Sequence, residues 1–275
     1  MGEPDGIVIA VDFPGTGRPD AGFTALLANM GTGHALWETV PPPMGTTAGM
    51  TGADYLNLWR DGLRNAPPVA CVLGYCASSV FALAVAGLVA EAGLAGPGGR
   101  RPRTLLFDPT SITPSTVLEY GFRPALSPFT EVLGAQRTEA ANAAARAAQD
   151  STATLADLST VLVGVYRDTA VAAFAELGLD AARSAELVGW FRAYLDYLVA
   201  AGSVPVAADL GELAVLRSED LPEALVLDAE ELRFPVDHTE LLGSPAVAGS
   251  VVELLRRPLT RHLADPRHTT TEELR

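Results

Sequence analysis

One stretch, Val69 to Ala82 (V-A-C-V-L-G-Y-C-A-S-S-V-F-A), limits the choice of fold more than any other part of the chain. An apolar run, Val69 to Leu73, ends at Gly74-Tyr75-Cys76-Ala77-Ser78. Good helix formers then run from Val80 to Glu91 without a proline. The pattern predicts a buried strand, a sharp turn and a helix, with Cys76 at the apex. A turn this tight needs small residues on both sides, because its backbone is strained and packs against its own strand and helix. Taken alone, the same pattern also fits a buried structural cysteine in a β-α unit.

Similar units recur along the chain. Gly6 to Phe13 reads as a buried strand, followed by the small-residue turn Pro14-Gly15-Thr16-Gly17 and a helix over Phe23 to Met30. His34 to Val40 is a second strand, and Ala53 to Asn65 an amphipathic helix carrying Tyr55, Leu56, Trp59 and Leu63 on one face. Thr104 to Phe107 is another apolar strand with Asp108 at its end. From Ser127 to Gly202 the pattern turns Ala-rich and helical, with apolar stripes over Leu155 to Leu177 and Ala182 to Ala200. Strands resume at Leu213 to Arg217, with continuations read at Ala224 to Leu227 and Glu231 to Phe234, and a helix over Ala246 to Arg256 closes the pattern. Strands alternating with helices predict an α/β class with a mostly parallel sheet. The segmentation follows: core over 1–125, helical lid insertion over 126–204, core again over 205–258, and a polar tail over 259–275.

Composition excludes some classes. The net charge is −14, and every one of the 19 basic residues is arginine, which argues against a nucleic-acid partner. No stretch reads as long and apolar enough for a bilayer, and no signal peptide is recognisable at the start. The two cysteines, Cys71 and Cys76, sit five apart on one unit and are poorly placed to pair, so a reducing cytoplasm is the expected setting. No paired His/Cys spacing suggests a metal, and Gly15-Thr16-Gly17 lacks the remaining residues of a nucleotide loop.

Cys76, Asp108 and His238 each follow a strand, in the order nucleophile, acid, histidine. Such a set lets His238 take the thiol proton and return it to a leaving group, while the acid fixes the imidazole tautomer. The N–H of Ala77 is a natural oxyanion donor, and the loop from Pro14 to Gly17 could supply a second. Asp228 is an alternative acid, Asp237 a weaker one, and Cys71 reads as buried and inert.

The strand-loop V-D-F-P-G-T-G, the elbow L-G-Y-C-A-S-S, the strand end L-L-F-D-P, the helical insert and F-P-V-D-H-T-E-L-L together resemble the thioesterase domains of non-ribosomal peptide and polyketide synthases. The resemblance covers most of Gly6 to Arg256 and implies an α/β-hydrolase fold. It implies Cys76 as nucleophile, Asp108 as acid and His238 as base, with the N–H groups of Thr16 and Ala77 as the oxyanion hole. It also implies an acyl or peptidyl carrier protein as partner, its 4′-phosphopantetheine carrying the substrate, and no cofactor of the enzyme's own. Asp108 follows Cys76 by 32 residues, which is more similar to chain-terminating than to stand-alone editing thioesterases. Cys76 and Ser78 depart from G-x-S-x-G, and the cysteine is also similar to the elbow of dienelactone hydrolases. That leaves a carrier-independent small ester or lactone hydrolase, or an acyl or aminoacyl shuttle between carrier proteins, as alternatives. A carrier-dependent enzyme would be expected to present arginines at the mouth of its site.

Overall fold

The structure is a computed structural model, and it describes residues 6–13, 22–95, 101–207, 210–219 and 224–257. The Thr16 loop and the 259–275 tail lie outside these residues.

Six strands form one parallel sheet in the order β2-β1-β3-β4-β5-β6. They are β1 (Ile7–Val11), β2 (Leu36–Glu38), β3 (Val69–Tyr75), β4 (Arg103–Phe107), β5 (Leu213–Arg217) and β6 (Glu230–Arg233). The central four are covered on both faces, which explains their near-continuous apolar runs. Helices α1 (Phe23–Met30) and α10 (Pro245–Arg256) pack together on one face over Val8, Leu73, Leu105 and Leu216. Helices α2 (Gly52–Leu63) and α3 (Ser79–Glu91) cover the other over Ile9, Val72 and Leu106. The chain runs outward from β1 to β2, then crosses back to β3. The order therefore reverses between β1 and β3, which is where open α/β sheets hold ligands.

Between β4 and β5 the chain is helical: α4 (Pro114–Thr116), a π-helical turn (Val117–Phe122), α5 (Arg123–Leu126), α6 (Phe129–Leu133), α7 (Ala135–Ser151), α8 (Leu155–Glu176) and α9 (Ala181–Gly202). The helices thus begin at Pro114, earlier than the change of pattern at Ser127 suggests. Pro124 explains the π turn: it has no N–H to offer the carbonyl of Tyr120, so the helix widens there. Thr154 and Asp180 cap α8 and α9 by accepting from the N–H groups of Asp157 and Arg183.

Two readings need correction. Ala224 to Leu227 is not a strand: Ala224 makes an isolated bridge to Thr110, and Leu225 donates its N–H to the carbonyl of Pro109. The segment is pinned beside the loop after β4 instead of joining the sheet. And one helix, α8, is by length and composition apolar enough to cross a membrane. The apolarity follows from its packing: Leu158, Leu162, Tyr166, Ala170 and Phe174 are buried in the main core, between α7 and α9.

Candidate active site

Cys76 follows the last residue of β3 and opens the turn Cys76–Ser78 that runs straight into α3. Its φ is +50°, a left-handed conformation that a residue with a Cβ adopts only under strain. What makes the turn possible is Gly74. A Cβ there would lie 2.5 Å from the Cβ of Ala82 and 3.0 Å from the Cα of Ser79. Strand and helix touch at this point, and any side chain would push them apart. Ser78, where glycine is common in such elbows, has an ordinary helical conformation (φ −71°, ψ −9°), so its side chain adds no backbone strain.

Asp108 follows β4 and is fully buried. It too has a positive φ, +48°, which aspartate tolerates better than most residues. Its Oδ2 accepts from Nδ1 of His238 at 2.8 Å, and its Oδ1 accepts from the N–H of Ser218, just past β5, at 2.8 Å. Both carboxylate oxygens are used, so the group is oriented from two sides. His238, after β6, therefore carries its proton on Nδ1 and turns the rest of the ring to the cavity that Cys76 lines. Burial works to lower its pKa, but the bond to Asp108 and the nearness of Cys76 outweigh it and raise the pKa to about 9.

The sequence-level set Cys76, Asp108 and His238 is thus brought together, from the C-terminal ends of three strands. Asp228 is exposed and lies across the sheet in a groove with Arg103 and Glu212, away from His238. Asp237 is exposed and turned to solvent. Cys71 is buried in β3, and burial pushes its thiol up to about 12. Ala77 lies in the first turn of the elbow helix and lines the cavity. Backbone N–H groups there have no partner within the helix, which suits an oxyanion.

Two further residues were not singled out from sequence. Tyr75 stacks its ring on His238 (centroids 4.7 Å apart, 28° between planes) and donates its hydroxyl to the His238 carbonyl at 2.7 Å. Thr110 is buried; its hydroxyl donates to the carbonyl of Asp108 at 3.0 Å and accepts from the Cys76 thiol at 3.6 Å. Thr110 gives the thiol a resting partner. The only hint of Tyr75 was an aromatic at the variable position of G-x-C, and Thr110 left none.

The cavity holds about 160 Å³. Asp12 and Phe13 form one wall, Tyr75 to Ser78 the floor, and Tyr120, Tyr194, Tyr197 and Leu198 of the helical insert the roof. Phe13 fixes the insert to the sheet through ring contacts with Trp190, Tyr194 and Tyr197 at 5.2–5.4 Å. No arginine lines the cavity among the described residues, contrary to the expectation for its mouth. Nor do the described residues include a group of three His, Cys, Asp or Glu side chains able to hold a metal ion.

No protein-family model and no curated protein sequence matches the chain. Solved structures do. A four-domain nonribosomal peptide synthetase, AB3403, bound to AMP and glycine, aligns with a TM-score of 0.59 at 15% identity, over 94% of this chain and 20% of that one. The chain therefore spans about a fifth of that synthetase's length. The NocB thioesterase domain, in covalent complex with a fluorophosphonate nocardicin G analogue, aligns with a TM-score of 0.53 at 15% identity, over 93% and 96% of the two chains. The Vlm2 thioesterase domain matches at 17% identity with a TM-score of 0.48. With the sheet order and the inserted helices, the first two alignments establish the α/β-hydrolase fold for this chain.

Proposed function

We propose that this chain is a thioesterase-like acyltransferase of natural-product biosynthesis that loads an acyl group from a carrier-protein thioester onto Cys76. The observation that carries the reading is the Asp108–His238 contact of 2.8 Å beside a cysteine held at positive φ on the ligand-binding edge of the sheet. A structural cysteine needs neither the strained turn nor the buried, doubly held acid. The fold it shares with the NocB thioesterase domain and part of a peptide synthetase supports the same class of chemistry.

The steps follow from the geometry. His238 removes the Cys76 proton while Asp108 accepts from Nδ1 and stabilises the imidazolium. The sulfur attacks the carbonyl carbon of the donor thioester, and the oxyanion is met by the N–H of Ala77, with the N–H of Thr16 as the proposed second donor. The donor C–S bond breaks, and the imidazolium protonates the pantetheine thiolate as it leaves. A second nucleophile then gives its proton to His238 and takes the acyl group from Cys76.

Cysteine in place of serine changes the intermediate. A thioester made from a thioester keeps its acyl activation, whereas a serine ester would lose much of it. The arrangement suits transfer to an amine, a second carrier thiol or an internal nucleophile better than simple hydrolysis. One observation favours a second reading: the cavity is small and its lining carries no arginine among the described residues, as a carrier-independent ester or lactone hydrolase would have it.

Incubation with a panel of acyl-loaded carrier proteins, followed by mass spectrometry of protein and product, separates the two. A carrier-dependent acyltransferase turns over carrier-bound thioesters with kcat/KM well above that for the same acyl group on a small thiol or alcohol. Equal or better turnover of the small esters overturns the carrier reading in favour of the second.

A further inference from the structure

Three contacts hold His238 from the sheet. Asp108, after β4, accepts from its Nδ1 at 2.8 Å. Tyr75, at the end of β3, stacks on its ring and donates to its carbonyl. The His238 side chain is still 20% exposed, and the rest of the ring faces the cavity that Cys76 lines. A tautomer fixed at Nδ1 does not by itself fix the direction in which the other side of the ring points.

A fourth contact comes from the helical insert. The ring of Tyr120 stands 6.0 Å from the imidazole, centroid to centroid, with 58° between the planes. Both values fall in the range that tilted aromatic pairs prefer. Among the described residues, Tyr75 and Tyr120 are the two aromatic rings in contact with His238.

The local backbone explains why Tyr120 stands there. It lies in the π-helical turn Val117–Phe122, where the N–H of Arg123 reaches back five residues to the carbonyl of Leu118. Pro124 has no N–H for the carbonyl of Tyr120, so the wide turn is centred on the residue that meets His238. Gly121 comes next. A Cβ there would lie 3.3 Å from Leu198 and 3.6 Å from Leu195 and Tyr194, so the turn sits close against α9. Single π turns inside helices are frequent at functional sites, where they re-aim a side chain at some cost in regular hydrogen bonding.

We infer that Tyr120 is a positioning residue for His238, placed by the π turn, whose ring acts with that of Tyr75 to fix the direction in which the imidazole faces the Cys76 thiol. The inference rests on the acyl-transfer reading above. The base is then set by two parts of the fold, by the sheet through Asp108 and Tyr75 and by the insert through Tyr120.

Tyr120 also lines the cavity, so action through His238 has to be separated from contact with the acyl group. Single-turnover loading of Cys76 from a small acyl pantetheine thioester, read by intact-protein mass spectrometry at a series of donor concentrations, gives a maximum rate and a half-saturation concentration. In Tyr120→Leu the maximum rate should fall about tenfold with half-saturation unchanged. Tyr120→Phe keeps the ring and should recover the wild-type rate. Pro124→Ala restores an N–H to the turn; it should lower the rate too, and add no further loss to Tyr120→Leu, because both act through one ring. The Cε1–H proton resonance of His238, assigned by its loss in His238→Gln, should be a single sharp line in the wild type and in Tyr120→Phe and broadened in Tyr120→Leu. A wild-type rate in Tyr120→Leu overturns the inference. So does a raised half-saturation concentration with an unchanged maximum rate, which would make Tyr120 part of acyl-group binding. An unchanged His238 resonance in Tyr120→Leu overturns it as well, and a wild-type rate in Pro124→Ala overturns the role of the π turn. Absence of any loading by the wild-type chain is a different result: it removes the acyl-transfer reading, and the His238 resonance still tests the contact.

Discussion

Tyr75 holds His238 twice, by a stacked ring at 4.7 Å and by a hydrogen bond of 2.7 Å to its backbone carbonyl. The residue before the proposed nucleophile therefore fixes the proposed base, so the distance from thiol to imidazole does not depend on the β6 loop alone. Tyr75→Phe keeps the stacked ring and loses the hydrogen bond. Its stability should fall by about 1 kcal/mol in urea unfolding, the usual worth of one such bond. Single-turnover loading of Cys76 should fall more than this suggests, by about tenfold, because His238 would sit less well defined. A loading rate equal to wild type would remove Tyr75 from the positioning of His238.

The acid can be assigned by a pair of substitutions. Asp108→Asn keeps an oxygen for the Ser218 N–H but no longer fixes the His238 tautomer. Loading of Cys76 should fall by about 10²- to 10⁴-fold. Asp228→Asn, at an exposed site in a separate groove, should leave the rate unchanged. Equal losses in the two would contradict the placement of Asp108 against His238.

The His238 contact also predicts a pH dependence of stability. Its pKa is raised to about 9 in the folded chain, against 6.5 for an unperturbed imidazole. Folding therefore favours the protonated ring, and the sign is fixed: the stabilisation is full below about pH 6.5 and is lost as pH rises through about 9. Urea unfolding of the wild type should show stability falling across that window. In His238→Gln this part of the pH dependence should be absent. A wild-type stability that rises from pH 6.5 to 9, with His238→Gln flat, would contradict the Asp108–His238 pairing.

The two cysteines should differ sharply in reactivity. Cys76 opens onto the cavity, whereas Cys71 is fully buried with its thiol pushed up to about 12. Native protein should take up one equivalent of iodoacetamide, located at Cys76 by peptide mass spectrometry, and a second only after unfolding. Modification of Cys71 in the native state would mean that β3 is not packed as described.

Most of the sheet was legible because parallel strands buried on both faces read as apolar runs, and β1, β3, β4 and β5 are of that kind. The Ala224 to Leu227 run misled for the same reason: its apolar residues serve a local bridge over the Asp108 loop, and a short run does not reveal its partner. Helix α8 has the length and apolarity of a membrane span although Arg167 and Asp168 interrupt its sequence. At the site, Cys76, Asp108 and His238 could be read from their places after strand ends. Tyr75 and Thr110 could not, since their roles are distances across the fold to His238, to Asp108 and to the thiol. Tyr194 and Tyr197 belong to the apolar stripe of Ala182 to Ala200, and in the structure they form part of the roof of the cavity.

The central claim is that Cys76 carries the acyl group, and rapid quenching of a single turnover tests it directly. Protein mixed with an acyl-loaded carrier and quenched in acid should gain the mass of the acyl group. Proteolysis should place the added mass on the Cys76 peptide, and Cys76→Ala should show none. Cys76→Ser should still be acylated while transfer to an amine or thiol falls relative to hydrolysis. Product formed at the wild-type rate by Cys76→Ala, or an acyl group found elsewhere than Cys76, would contradict the account.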